Sequence, residues 1–145
     1  MSRLNINDVS PAAYKAVLGM EAYARRHNDP VLYELVKLRA SIVNGCGFCV
    51  DMHSTEALKA GESSRRLFGV AAWREAAALF TEKELAAFAL TDAVTRLGDH
   101  GVPDEVWDQA AAQFDKAELA NLLMAIATIN VWNRIAVSTK SDLPD

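Results

Sequence analysis

The sequence predicts an all-α fold, and three observations carry that expectation. Alanine, the strongest helix former, occupies 25 of the 145 positions. Three of the four prolines (Pro11, Pro30 and Pro103) stand where segments begin, and the fourth lies near the C-terminus, so none interrupts an apolar-periodic run. No stretch alternates polar and apolar residues with the β-branched enrichment of a strand.

The elements follow from their start and stop signals. Ser10-Pro11 suits a helix start, with Ser10 as cap, and the first helix runs to about Arg26. Tyr14, Val17, Leu18, Met20 and Tyr23 give it an apolar side. Asp29-Pro30 repeats the signal for a second helix to Val43, on which Leu32, Leu35, Val36, Leu38 and Ile42 recur near the helical period. Asn44-Gly45 ends it, since both residues tolerate the left-handed conformation. A third helix is expected from about Cys46 to Ala60, and a short one from Ser63 to Trp73. Thr81 and Glu84 form a capping box for a helix reaching Leu97. Pro103 opens another to about Phe114, and the last runs from Asp115 to about Ser138. Between Leu119 and Ile129 that last helix is apolar nearly all round, which predicts burial on most sides, partly against a second subunit. One domain over residues 10–138 results, with poorly ordered tails at 1–9 and 139–145.

Composition narrows the function. A chain of this length buries enough surface to fold without disulfides or a structural metal. Its 15 Lys+Arg against 19 Asp+Glu give a net charge of −4, which lacks the basic footprint of a nucleic-acid binder. No segment reaches about 18 uninterrupted apolar residues, and the N-terminus has no apolar signal core, so a cytoplasmic location is expected. There thiols stay reduced, and two cysteines three positions apart suggest catalysis or metal binding before a structural bridge.

The stretch Asn44-Gly45-Cys46-Gly47-Phe48-Cys49-Val50-Asp51-Met52-His53 concentrates the chemistry. On a helix Cys46, Cys49 and His53 fall at i, i+3 and i+7 and share a face. Cys46 in the first turn meets unpaired N–H groups and the positive end of the dipole, both of which lower a thiol's pKa. His53, one turn beyond Cys49, can exchange a proton with it. Glu34 enters by geometry. In an antiparallel hairpin it lies about 15 Å from the turn along the axis, and His53 lies about 12 Å from it, so the two sit at nearly one level. Three readings stay open on the residues alone: redox chemistry, two small buried residues at a helix start, or zinc held by Cys46, Cys49, His53 and Glu34. The zinc arrangement puts three ligands on one helix face, an awkward start for a tetrahedron.

Glu34, Cys46, Cys49 and His53 at these spacings resemble the AhpD-like alkylhydroperoxidase group of the carboxymuconolactone decarboxylase superfamily. Leu35-Val36-Lys37-Leu38-Arg39-Ala40-Ser41, Ala72-Trp73-Arg74-Glu75 and Ile129-Asn130-Val131-Trp132-Asn133-Arg134-Ile135-Ala136 extend the resemblance over most of the chain. It implies a helical subunit in a homo-oligomer, a trimer or hexamer, that reduces organic hydroperoxides with an unidentified dithiol as reductant and without metal or organic cofactor. Cys49 would attack the peroxide, Cys46 would resolve the sulfenic acid to a disulfide, and Glu34 and His53 would relay protons. The dipole alone would favour Cys46 as the more acidic thiol. Gly47-Phe48 stand between the cysteines where longer peroxidase members carry a histidine. The decarboxylase branch lacks the cysteine pair, which disfavours lactone decarboxylation. The alternatives are dithiol–disulfide exchange, a helical module whose cysteines only sense redox state, and a structural zinc site.

The remaining polar and aromatic residues have plainer readings. Asp51 lies off the face of His53 and takes no role. His27 and His100, beside turn signals, are expected at the surface. Trp73, Trp107 and Trp132 are expected as core or interface anchors. Asn130, Asn133 and Arg134 are expected to hydrogen-bond within or between subunits, with a polar lining to the thiol pocket as the alternative.

Overall fold

The computed structural model describes residues 1–145 as eight α-helices without a strand. They are α1 (Ile6–Val9), α2 (Pro11–His27), α3 (Pro30–Val43), α4 (Gly47–Lys59), α5 (Ser64–Gly69), α6 (Glu82–Thr95), α7 (Asp104–Gln113) and α8 (Lys116–Thr139). The expected all-α architecture is present, and side-chain caps account for most helix starts. Asp29 accepts from the Leu32 N–H behind Pro30. Thr81 with Glu84, and Asp115 with Glu118, form reciprocal capping boxes. Ser10 holds the cap position of α2 but makes no side-chain cap bond, so Pro11 marks that start.

Helix α3 is the axis of the fold. Leu32 and Val36 enter one apolar cluster with Leu90 of α6, Phe114 and α8 residues Leu122 and Ile126. Leu35 and Leu38 enter a second cluster with Leu67, Trp73, Phe80 and Phe88. A helix feeding two clusters is buried on nearly every side, and that buries Lys37 and Ser41 along with the apolar residues. Helix α8 is long and apolar enough to match a membrane span by length and composition. Here it is a core helix, packed on α2, α3, α4 and α6.

Two expectations about local structure are corrected. The helix expected over Ser63–Trp73 ends at Gly69 and tightens into a 3₁₀ turn at Val70–Ala72. Arg39 is the reason: its Nη1 takes the carbonyls of Val70 and Ala71 at 3.2 and 3.0 Å. Its Nε and Nη2 meanwhile clamp Asp92. Asp92 also accepts from Trp73 Nε1 and Arg74 Nη1, so the Ala72–Glu75 string is a buttress between α3 and α6. Residues 1–9 are not featureless either. Asn5 caps the short α1. The Arg3 N–H donates to the Thr139 carbonyl at 2.7 Å and the Ser2 N–H to Asp142 at 3.1 Å, which lays the two ends of the chain side by side.

Candidate functional site

The site grows from the turn between α3 and α4. Gly45 adopts φ +65°, the left-handed conformation that glycine accommodates without strain. Asn44 beside it donates to Oδ1 of both Asn130 and Asn133 on α8, each at 2.9 Å. Asn133 is fully buried and donates in turn to Ser41 Oγ at 3.0 Å. Asn130 also accepts from Arg134 at 2.7 Å. These residues therefore hydrogen-bond within the chain and pin the turn to α8; none of them lines the thiol cavity.

Cys46 is the cap of α4 and not its first residue. Its Sγ accepts the Cys49 N–H at 3.3 Å. Both cysteines are buried, and their sulfurs are joined as a disulfide across a Cα separation of 5.3 Å, inside the usual range for such a bridge.

A cavity of about 490 Å³ opens onto Cys49 and His53 but not onto Cys46. Phe48, Met52, Tyr14, Leu18, Trp132 and Ile135 make it largely apolar. Trp132 is half-buried in this wall, edge-on to Tyr14 with ring centroids 5.3 Å apart. Trp73 is a core residue as expected, and Trp107 is 40% exposed. His27, His100 and Asp51 are exposed. The two chain ends complete the cavity through Leu4, Ile6, Thr139 and Asp142.

Behind His53 lies a charged cluster built by three helices. Nδ1 of His53, a buried side chain, faces Glu34 Oε2 at 3.6 Å and Glu56 Oε2 at 3.9 Å. The hairpin geometry inferred for Glu34 and His53 is therefore realised. Neither His53 Nδ1 nor Glu34 Oε2 has a hydrogen-bond partner within the chain. The other oxygen of Glu34 lies 2.8 Å from Nζ of Lys37, which is fully buried, sits 4.1 Å above the Tyr33 ring and approaches Glu21 at 3.6 Å. Arg25 pairs with Glu21 at 3.1 Å and approaches Glu34 at 3.8 Å. Burial alone would push the Glu34 carboxyl up. His53 and Lys37 together outweigh it and hold the group below the usual carboxylate range. The Tyr33 hydroxyl is pushed up, first by burial and then by Glu21, so it stays neutral.

Sequence reasoning missed Lys37, Glu21 and Arg25. Their signals were the i, i+3 spacing of Glu34 and Lys37 and the i, i+4 spacing of Glu21 and Arg25, patterns that solvated helix faces share. Donor atoms of Glu34, His53 and Glu56 lie within 4.8 Å of one another. Lys37 and Arg25 already supply the positive charge facing Glu34, so this spacing does not make a cation site.

A second cavity of about 840 Å³, open to solvent like the first, lies across this cluster and is lined by Glu34, Tyr33, Glu62 and Arg66 among others. The two cavities share only Arg25 and Glu56.

Comparison with known proteins identifies the arrangement. The model of the carboxymuconolactone decarboxylase family matches residues 11–93. The uncharacterized protein YdfG of Bacillus subtilis is 33% identical over 94% of this chain and 92% of its own length. The crystal structure of ATU0492 from Agrobacterium tumefaciens superposes with a TM-score of 0.95 at 40% identity, covering 100% of this chain and 99% of that one. That protein is described as of unknown function and as a candidate antioxidant defence protein AhpD. The debrominase Bmp8, in complex with 2,3,4-tribromopyrrole, shares the fold with a TM-score of 0.83 at 18% identity, over 94% of this chain and 73% of that one. With its helical architecture and its CxxC-to-histidine hairpin, this chain belongs to the carboxymuconolactone decarboxylase family as an AhpD-like member.

Proposed function

We propose that this chain is a thiol-dependent peroxidase that reduces organic hydroperoxides through Cys49 and Cys46. The observation that carries this reading is asymmetric access. Cys49 faces the apolar cavity beside His53, while its bonded partner Cys46 is shielded from it. An attacking thiol needs a path to substrate and a base, whereas a resolving thiol needs only reach to its partner.

In the reduced protein the Cys49 thiolate attacks the terminal peroxide oxygen of ROOH. The O–O bond breaks, and Cys49 becomes a sulfenic acid. The alkoxide leaves as ROH, protonated through His53, whose imidazole Glu34 orients and whose positive charge Glu34 balances. The Cys46 sulfur then attacks Sγ of Cys49, the S–O bond breaks, and water leaves with the Cys46 proton. The disulfide described above is the product. A dithiol of the cell returns both sulfurs to thiols and is itself oxidised. Glu34, His53, Cys46 and Cys49 carry these steps, with no organic cofactor or metal required. The apolar cavity favours alkyl over inorganic peroxide. We place the protein in the cytoplasm as a homo-oligomer, since half-exposed apolar residues such as Val137 and Met124 of α8 suit a subunit contact.

The test is to treat reduced protein with one equivalent of an organic hydroperoxide, block free thiols and measure intact mass. Loss of two hydrogens with no labelled thiol is the expected result, with repeated turnover in the presence of dithiothreitol and none in Cys49→Ser. Two labelled thiols after treatment would refute the reading.

A further inference from the structure

We propose that Glu56 is the proton port of this site: its carboxylate exchanges protons between Nδ1 of His53 and the second cavity, while Glu34 serves as a fixed anion. The proposal rests on the thiol-peroxidase reading and divides the work of its two carboxylates.

Geometry separates them. Glu34 has a side chain only 14% exposed, with one oxygen 2.8 Å from the fully buried Lys37. Protonating Glu34 would weaken the partnership of a buried cation, leaving Lys37 chiefly Glu21 at 3.6 Å. A carboxylate held ionised in this way orients and charges the imidazole but is poorly suited to carry a proton away. Glu56 has the opposite properties. Its side chain is 48% exposed and lies one turn after His53 on α4. Its Oε2 is 3.9 Å from Nδ1, within reach of a hydrogen bond after a small rotation of a half-exposed chain. Glu56 also lines both cavities, while His53 lines only the first and Glu34 only the second. The path from His53 through Glu56 therefore reaches a second cavity that Cys49 does not line.

The charged and titratable groups around this path are Glu21 and Arg25 of α2, Tyr33, Glu34 and Lys37 of α3, and His53 of α4. Across the second cavity, Arg66 is already paired with Glu62 at 3.0 Å and Glu84 at 2.7 Å. No net proton crosses the port in a turnover, because the two thiol protons end in ROH and water. The port lets Cys49 lose its proton through the imidazole before peroxide arrives, and returns that proton as the alkoxide leaves.

The experiment compares wild type, Glu56→Gln and Glu34→Gln in dilute buffer and with rising concentrations of unlabelled imidazole as a small proton carrier. Two readouts are followed: the rate of Cys49 oxidation by tert-butyl hydroperoxide, and solvent exchange of the His53 Nδ1 proton by NMR of histidine-labelled protein. In dilute buffer Glu56→Gln is expected to slow both several-fold, with imidazole restoring them towards wild type. Glu34→Gln is expected to slow oxidation without rescue, because its defect is buried. Wild-type oxidation and exchange in Glu56→Gln at every buffer concentration would overturn the proposal, as would equal rescue of both variants. The exchange readout needs no peroxide, so a wild type inert to hydroperoxide would refute the peroxidase reading while the port is still judged by exchange.

Discussion

Lys37→Met tests the charged cluster most directly. Lys37 has no solvent exposure and faces two carboxylates, Glu34 at 2.8 Å and Glu21 at 3.6 Å. At an effective dielectric of about 20, unit charges at 2.8 and 3.6 Å attract by roughly 6 and 5 kcal/mol. Desolvating the ions offsets most of that, so the intact cluster adds little net stability. Breaking it is different, because methionine fills the space of the lysine stem and leaves two largely buried carboxylates with only the more exposed Arg25, at 3.1 Å from Glu21 and 3.8 Å from Glu34. The expected loss is about 3–5 kcal/mol. For a chain of 145 residues this lowers the thermal midpoint by roughly 10–16 °C. Urea denaturation of the disulfide form at pH 7, followed by far-ultraviolet circular dichroism, gives the free energy, with an unchanged m value showing that the folded and unfolded states kept their compactness. Adding Glu34→Gln to Lys37→Met removes one of the stranded charges and is expected to recover stability, a coupling of about 1–3 kcal/mol in a double-mutant cycle. A Lys37→Met protein within about 1 kcal/mol of wild type, or a strictly additive cycle, would refute this account of the cluster.

Two further outcomes are expected. Glu34 has a folded pKa below its ordinary value of 4.5, so its contribution is present above that value and lost as pH falls through the folded one. Acid titration of stability is expected to show this loss below about pH 4.5 in wild type and a smaller one in Glu34→Gln; identical acid limbs would contradict it. Gly69→Ala would place a Cβ 2.9 Å from Leu79 Cδ1 and 3.5 Å from both Ala76 Cβ and Phe80 Cζ. The backbone there suits alanine, so the cost is overpacking, about 1–3 kcal/mol by denaturant melt, and a stabilised variant would show that Leu79 moves aside freely.

The helices were legible because their boundaries are local chemistry. Asp29-Pro30 and Thr81 with Glu84 announce themselves within four residues. The end of α5 was not legible, since it depends on Arg39, some thirty positions earlier in the chain, taking the Val70 and Ala71 carbonyls. The pairing of residues 1–9 with the C-terminal segment was hidden for the same reason: short polar strings carry no sign of a distant partner. At the site, the face shared by Cys49 and His53 and the level of Glu34 followed from helical rise and a short turn. The burial of Lys37 did not follow, because lysine at i+3 from glutamate ordinarily marks a solvated face. Only the double burial of α3 turns that pair inward. The cap role of Cys46 was obscured because a thiol is not among the usual capping side chains.

The clasp of Asn44 by Asn130 and Asn133 has a kinetic consequence. It ties the turn before α4 to α8, and the Cys46 sulfur two residues on lies beside that of Cys49. For a sulfenic acid formed at Cys49, two nucleophile–electrophile encounters compete: closure by Cys46, and oxidation by a second peroxide to the irreversible sulfinic acid. Well-oriented intramolecular partners behave as if present at about 10⁵–10⁸ M, far above any cellular peroxide. On the proposed peroxidase reading, three asparagines outside the apolar cavity would thereby bias a branching ratio, steering each oxidising event towards the form that a dithiol can restore.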